Sequence, residues 1–184
     1  DRQAARPVVA AEHAAVFARA GVRSVADLGC GIGADSLEFA RASLATVSVE
    51  LDPLTASFAA ANLADFSGSR VVVGDVTNFD LESFRDGNGK VVQGIWLDPA
   101  RRDLTGVVKS RTERIFDPEA YSPPLSFVVD LARTGMPMGV KLGPGMPHEA
   151  IARPEDIRSE ANPHPRVTAQ WVEHEGSLVE LVLW

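Results

Sequence analysis

The sequence is short of the residues that build metal and redox sites. Its 184 residues hold one cysteine, Cys30, which excludes an internal disulfide and any zinc site built on two or more cysteines. A lone thiol suits a reducing cytoplasm. The four histidines are scattered without metal-ligand spacing, so no metal is expected. No apolar run approaches the length of a membrane span, and no signal peptide is visible. Basic residues are outnumbered, 18 against 25, and a net charge of −7 argues against binding nucleic acid over the whole surface. A local basic patch is still compatible with that charge. The first residue is Asp1 rather than Met, which reads as a segment cut from a longer chain.

What is present suffices for one domain, residues 1–184, with a sizeable core: 45% of the chain is hydrophobic. The organising stretch is SVADLGCGIGADSLEFA, Ser24 to Ala40. Ser24 to Leu28 has the short apolar character of a buried strand. Gly29, Gly31 and Gly33 then alternate through a turn, and Leu37, Phe39 and Ala40 recur at helical spacing beyond it. A strand, a glycine turn and a helix place a helix N-terminus and bare backbone amides at a strand end, a geometry that receives nucleotide-like ligands. The turn fits the relaxed dinucleotide fingerprint. Asp27, two residues before the first glycine, suits another ligand: it can orient the loop or face the cationic amino-acid end of S-adenosylmethionine.

The rest of the chain alternates. A small-residue-rich helix over 4–20 precedes the core strand and ends at Gly21. Further strands are expected over 45–51, 70–73, 91–97 and 138–142, with helices after Pro53 and after Pro123 or Pro124. One helical turn is expected over 81–84, and weak helix over 147–159. Residues 167–174 and 178–184 read as an antiparallel hairpin. This order predicts a mostly parallel α/β sheet with helices on both faces and a terminal hairpin. Ligands in such sheets bind beyond the carboxyl ends of the strands. Asp27, Glu50, Asp75, Asp98 and Lys141 all fall there.

Each strand end has a chemistry. Glu50 can accept hydrogen bonds from both hydroxyls of a ribose, or it can merely cap the next helix. Asp75 is placed to accept from an adenine amino group while the Val76 amide donates; a plain turn aspartate is the other reading. Asp98 in LDPARR can position a substrate or accept a proton. Arg101 and Arg102 open a basic stretch over 101–114 that can grip phosphate or serve solubility. Lys141, before Gly143-Pro144-Gly145, can contact substrate or pair with a carboxylate.

With these residues in hand, the chain resembles the class I S-adenosylmethionine-dependent methyltransferases. DLGCGIG, VELDP, GDV and LDPARR look like their first four motifs, and the terminal hairpin is similar to their antiparallel sixth and seventh strands. The resemblance implies a seven-stranded Rossmann-like sheet and S-adenosyl-L-methionine as cofactor. It implies a pocket lined by Asp27, Leu28, Gly29, Cys30, Gly31 and Gly33, by Glu50 and Leu51, by Asp75 and Val76, and by Asp98. Substrate contacts fall to Pro99, Arg101, Arg102 and Lys141. LDPARR, YSPPLS and VKLGPGM look more narrowly like a bacterial subgroup carrying a THUMP-like domain, an association that suggests RNA.

Departures from better-known motifs limit the chemistry. Ala100 and Arg101 stand where exocyclic-amine methyltransferases of bases place a second proline and an aromatic. Carbon-5 methylation of pyrimidines needs a nucleophilic cysteine, and Cys30 lies in the glycine turn. Direct displacement is left, with Asp98 orienting the nucleophile. An RNA methyltransferase, a small-molecule methyltransferase and a non-catalytic S-adenosylmethionine-binding module are the three readings carried forward.

Overall fold

The computed structural model describes residues 7–78, 80, 83–101 and 117–184. Packing divides the chain into two compact units, Asp1–Asp98 with Met136–Gly139, and Pro99–Gly135 with Val140–Trp184.

The first unit is a run of parallel strands and crossover helices. Helix α1 (Pro7–Arg19) buries Val9, Ala10, His13, Ala14 and Phe17, one stripe at helical spacing. Val8 is exposed, while His13 is buried on the stripe. Strand β1 (Ser24–Leu28) is buried along its whole length. Helix α2 (Ala34–Arg41) returns the chain to β2 (Ala45–Glu50), and α3 (Pro53–Asn62) to β3 (Ser69–Val73). Both crossovers step the same way along the sheet, and right-handed connections then place α2 and α3 on one face. Gly33 and α3 meet there, since a Cβ on Gly33 would lie 3.2 Å from the Cβ of Ala59.

Between β3 and the next strand the described residues hold no α-helix. A 3₁₀ turn over Val76–Asn78 stands in its place, opened by the Asp75 carboxylate accepting from the Thr77 amide at 2.9 Å. Asp, Asn and Gly crowd this stretch, and their side chains offer the backbone turns in competition with a helix. Leu81 and Glu82 of the expected helical turn lie outside the described residues. Strand β4 (Gly94–Leu97) is shorter than the run 91–97, because Val91 pairs backwards with Arg85 in an isolated bridge. The strand starts where no side chain fits: a Cβ on Gly94 would touch the Phe17 ring at 3.0 Å.

In the second unit, β5 (Ala100–Arg101) and β6 (Tyr121–Ser122) form a two-residue antiparallel ladder that the sequence reading lacked. Helix α4 (Leu125–Ala132) follows Pro124. Strand β7 (Met138–Leu142), whose first two residues belong to the first unit, leads into two 3₁₀ turns, His148–Ala150 and Pro154–Ile157, in place of the weak helix over 147–159. Prolines 147 and 154 stand at the start of each, where their missing amides break up a continuous helix. Strands β8 (Ala169–His174) and β9 (Ser177–Leu183) form the expected hairpin, with a bulge between Val172 and Glu173. The seven main strands form one sheet in the order β3-β2-β1-β4-β7-β9-β8, with β9 antiparallel to β7 and β8. This is the expected mostly parallel sheet with helices and a C-terminal antiparallel hairpin. No helix among the described residues is long and apolar enough to cross a membrane.

Candidate active site

Register brings the first unit's candidate residues level. Leu28 lies opposite Val49 on one side and Leu97 on the other. One residue further, Gly29, Glu50 and Asp98 therefore leave three neighbouring strands at the same height. Glu50 in turn lies opposite Val73, two residues before Asp75.

The loop from Gly29 to Gly33 needs its glycines. All three motif positions have positive φ, +84°, +56° and +80°, a region that an L side chain occupies only at a cost. The loop is tied inward. The amides of Gly29 and Cys30 donate to the Val49 carbonyl at 2.9 and 3.0 Å, and Gly33 donates to the Cys30 carbonyl at 2.9 Å. Gly31 donates to Oε2 of Glu50 at 2.9 Å. The sequence reading of bare amides is thus corrected: four of the loop amides are already used inside the protein. Val49 on β2, the Cys30 carbonyl within the loop and the Glu50 carboxylate supply the acceptors.

Glu50 works in both directions, because its Oε1 also accepts from the Asp52 amide at 2.9 Å. Two hydrogen bonds occupy half the acceptor capacity of a carboxylate, so the group keeps room for hydroxyl donors. Asp52, not Glu50, caps α3, accepting from the amide and hydroxyl of Thr55 at 2.8 and 2.6 Å. The Thr55 hydroxyl first, and then its amide, hold the Asp52 carboxyl below its usual pKa. Leu51 is exposed beside them.

Asp27 is buried beneath the loop and accepts from the hydroxyl of Ser36, which also lies 2.7 Å from that of Ser48. The pair Ser36 and Ser48 went unnoticed in the sequence. Its signal was a serine in the first turn of α2 and another on a strand that is otherwise apolar at its centre. Asp75 spends Oδ1 on the amide and hydroxyl of Thr77, at 2.9 and 2.7 Å, as a turn aspartate does, and Val76 is buried beside it. Burial above all, then the negative charges of Asp27 and Glu50, push the Cys30 thiol far above its ordinary pKa. Such a shift favours the protonated thiol over the nucleophilic thiolate.

The second unit carries the other candidates. Pro99 is buried, Arg101 pairs through its backbone with Tyr121, and half-buried Lys141 lies opposite Val182 on β9. Arg102 and the rest of the basic stretch, through Arg114, lie outside the described residues. Beyond β7, the Trp171 indole donates to the Pro144 carbonyl at 3.3 Å and lies 5.0 Å from the His148 ring. Among the described residues no group of three or more His, Cys, Asp or Glu is placed to hold a metal.

No protein-family model matches the chain, and no curated protein matches it. Solved structures do. Cofactor-bound Rv0187 from MTB shares 20% identity at a TM-score of 0.61, over 100% of this chain and 81% of its own. A protein from Porphyromonas gingivalis W83, described as a methyltransferase, shares 18% at 0.65, over 98% of this chain. This chain spans only 40% of that protein. The O-methyltransferase from Bacillus cereus, in complex with SAH, shares 16% at 0.58, over 97% of this chain and 80% of its own. Identities this low establish a common fold, the class I fold of S-adenosylmethionine-dependent methyltransferases. Several proteins sharing it were solved with SAM or SAH bound.

Proposed function

We propose that the chain is an S-adenosylmethionine-dependent methyltransferase domain acting on RNA. The observation that carries the cofactor assignment is the occupied glycine loop. A dinucleotide is held through loop amides on its diphosphate. Here the amides of Gly29, Cys30, Gly31 and Gly33 already bond to the protein, while Glu50 retains acceptor capacity level with the loop. That pattern favours a ligand recognised by its hydroxyls and its adenine over one recognised by phosphate.

In this reading Glu50 accepts from the ribose hydroxyls, and Leu51 and Val76 provide apolar contact for the adenine beside Asp75. Leu28, Gly29, Cys30, Gly31 and Gly33 shape the wall, with Asp27 fixing the loop from below through Ser36. The cofactor supplies a methyl group already activated on a sulfonium, so the protein's task is alignment. Asp98, level with Gly29 and Glu50, accepts a hydrogen bond from the nucleophile and orients its lone pair. A protonated Cys30 supports direct displacement over attack by an enzyme thiolate.

The RNA assignment rests on the likeness of LDPARR, YSPPLS and VKLGPGM to the THUMP-like subgroup, and on Arg101, Arg102 and the basic stretch through 114 as phosphate contacts. Pro99 stiffens the approach to those arginines, and Lys141 contributes a further positive charge. A reducing cytoplasm is the fitting compartment for the lone thiol. The net charge of −7 favours a second reading, transfer to a small molecule.

Transfer of labelled methyl groups into fractionated cell extract tests the assignment, with Asp98→Ala alongside. Label in RNA that falls by about 10²-fold or more in the variant supports it. Label confined to small molecules moves the second reading forward. Cofactor binding without any transfer would leave a binding module.

A further inference from the structure

The glycine loop hangs between the end of β1 and the first turn of α2, and that turn is fastened on two sides. On one side Ser36 meets Asp27 and Ser48, within the strand–loop–helix segment and the strand beside it. The other fastening comes from outside the motif. Asp35, the neighbouring residue of the same turn, is buried, and its Oδ1 lies 2.8 Å from Nδ1 of His13 on α1. His13 is itself only 2% exposed. A carboxylate can only accept, so the imidazole presents its Nδ1 proton to Asp35.

The same ring reaches a third element. Its centroid is 4.3 Å from the Trp96 indole at a tilt of 31°. Trp96 lies on β4 two residues before Asp98, wedged edge-on against Phe17 and Phe39. One imidazole therefore touches the turn that anchors the cofactor loop and the strand that carries Asp98. Rotation of α1, or hydration of Asp35, would shift the loop relative to that strand.

We infer that His13 is a positioning residue: through Asp35 and Trp96 it sets the glycine loop in register with the strand carrying Asp98, making α1 part of the cofactor site. The inference rests on the proposed cofactor reading and adds to it a residue that touches no ligand. Its physical basis is preorganisation, since a loop held in its bound geometry loses less freedom when ligand arrives. A buried imidazole that only stabilised the fold would affect melting and leave the affinity of the folded protein alone.

The test is calorimetric titration of S-adenosylmethionine and S-adenosylhomocysteine into the full chain, well below its melting temperature. Wild type, His13→Leu, His13→Asn and Asp35→Asn are compared, each with its own melting curve. Asn places an amide donor near the position of Nδ1, so it serves as the conservative replacement. We expect Kd to rise about tenfold in His13→Leu and to return to within about threefold of wild type in His13→Asn. Lowered melting temperatures with unchanged Kd in His13→Leu and Asp35→Asn would overturn the inference and leave the cofactor reading intact. If His13→Leu does not fold, equal affinity of wild type and Asp35→Asn overturns it alone. Failure of the wild type to bind either compound would overturn both.

Discussion

The two units solve different problems with different material. In the first, β1 is buried at every position, α1 and α2 pack on each other, and the candidate cofactor residues sit on strand ends fixed by parallel register. The second relies on two-residue strands, 3₁₀ turns and a hairpin whose β8 has no fully buried residue. The first unit holds strand ends at one level, and the second carries a short ladder and isolated turns. Ligand specificity on such folds resides in loops carried by a rigid scaffold.

That contrast can be broken at Glu50. Replacing it by Ala removes the acceptor for the Gly31 and Asp52 amides together with the proposed ribose acceptor. Cofactor affinity should fall by roughly 1–3 kcal/mol. Unchanged affinity by calorimetry would separate the regular unit from the cofactor.

The glycines sharpen the comparison further. Gly33→Ala meets both a left-handed backbone and the Ala59 Cβ at 3.2 Å, whereas Gly31→Ala meets only the backbone. Chemical denaturation should show a loss of about 1–2 kcal/mol for Gly31→Ala and a larger one for Gly33→Ala. Equal losses would mean that α2 and α3 yield freely at their contact.

A smaller effect is expected in the second unit. Trp171→Phe gives up the 3.3 Å bond to Pro144 while keeping an aromatic ring beside His148. Melting should drop slightly and cofactor affinity should hold. A weakened affinity would show that the second unit also governs the cofactor.

The smallest change concerns pH. Asp52 has a depressed pKa, so its contribution to the α3 cap is present above the ordinary carboxylate range and is lost as pH falls through the lowered value. Asp52→Asn should flatten that part of the melting-temperature profile in acid. A profile identical to wild type would assign the acid sensitivity elsewhere.

Much of the first unit was legible because its signals are local. Alternating glycines, apolar runs of five or six residues and carboxylates at their ends each report on their own neighbourhood. His13 was not, because a histidine on an apolar stripe declares its burial only when Asp35 and Trp96 arrive from other elements. The spacing of Val9, Ala10, His13, Ala14 and Phe17 was the available hint. After β3 the Asp75 carboxylate holds the Thr77 amide and opens a 3₁₀ turn over Val76–Asn78, an element the sequence reading did not name. Near Arg101, the short β5–β6 ladder depends on a partner twenty residues away, which no local pattern announces.

The outermost strands bear on how the protein keeps to itself in a crowded cell. An open strand is a template for another chain, and self-templating is how sheets polymerise. Beside β3, the Gly87 amide donates to the Gly68 carbonyl and the Arg70 guanidinium to the Arg85 carbonyl, which closes the start of that border. Gly87 lies so close that a Cβ there would fall 2.4 Å from the Gly68 carbonyl carbon. At the other border, β8 carries the exposed charge of Glu173 beside the register shift that follows Val172, and both interrupt the flat ladder an incoming strand would need. A glycine at one border and a charged residue at the other thereby stand against fibre growth.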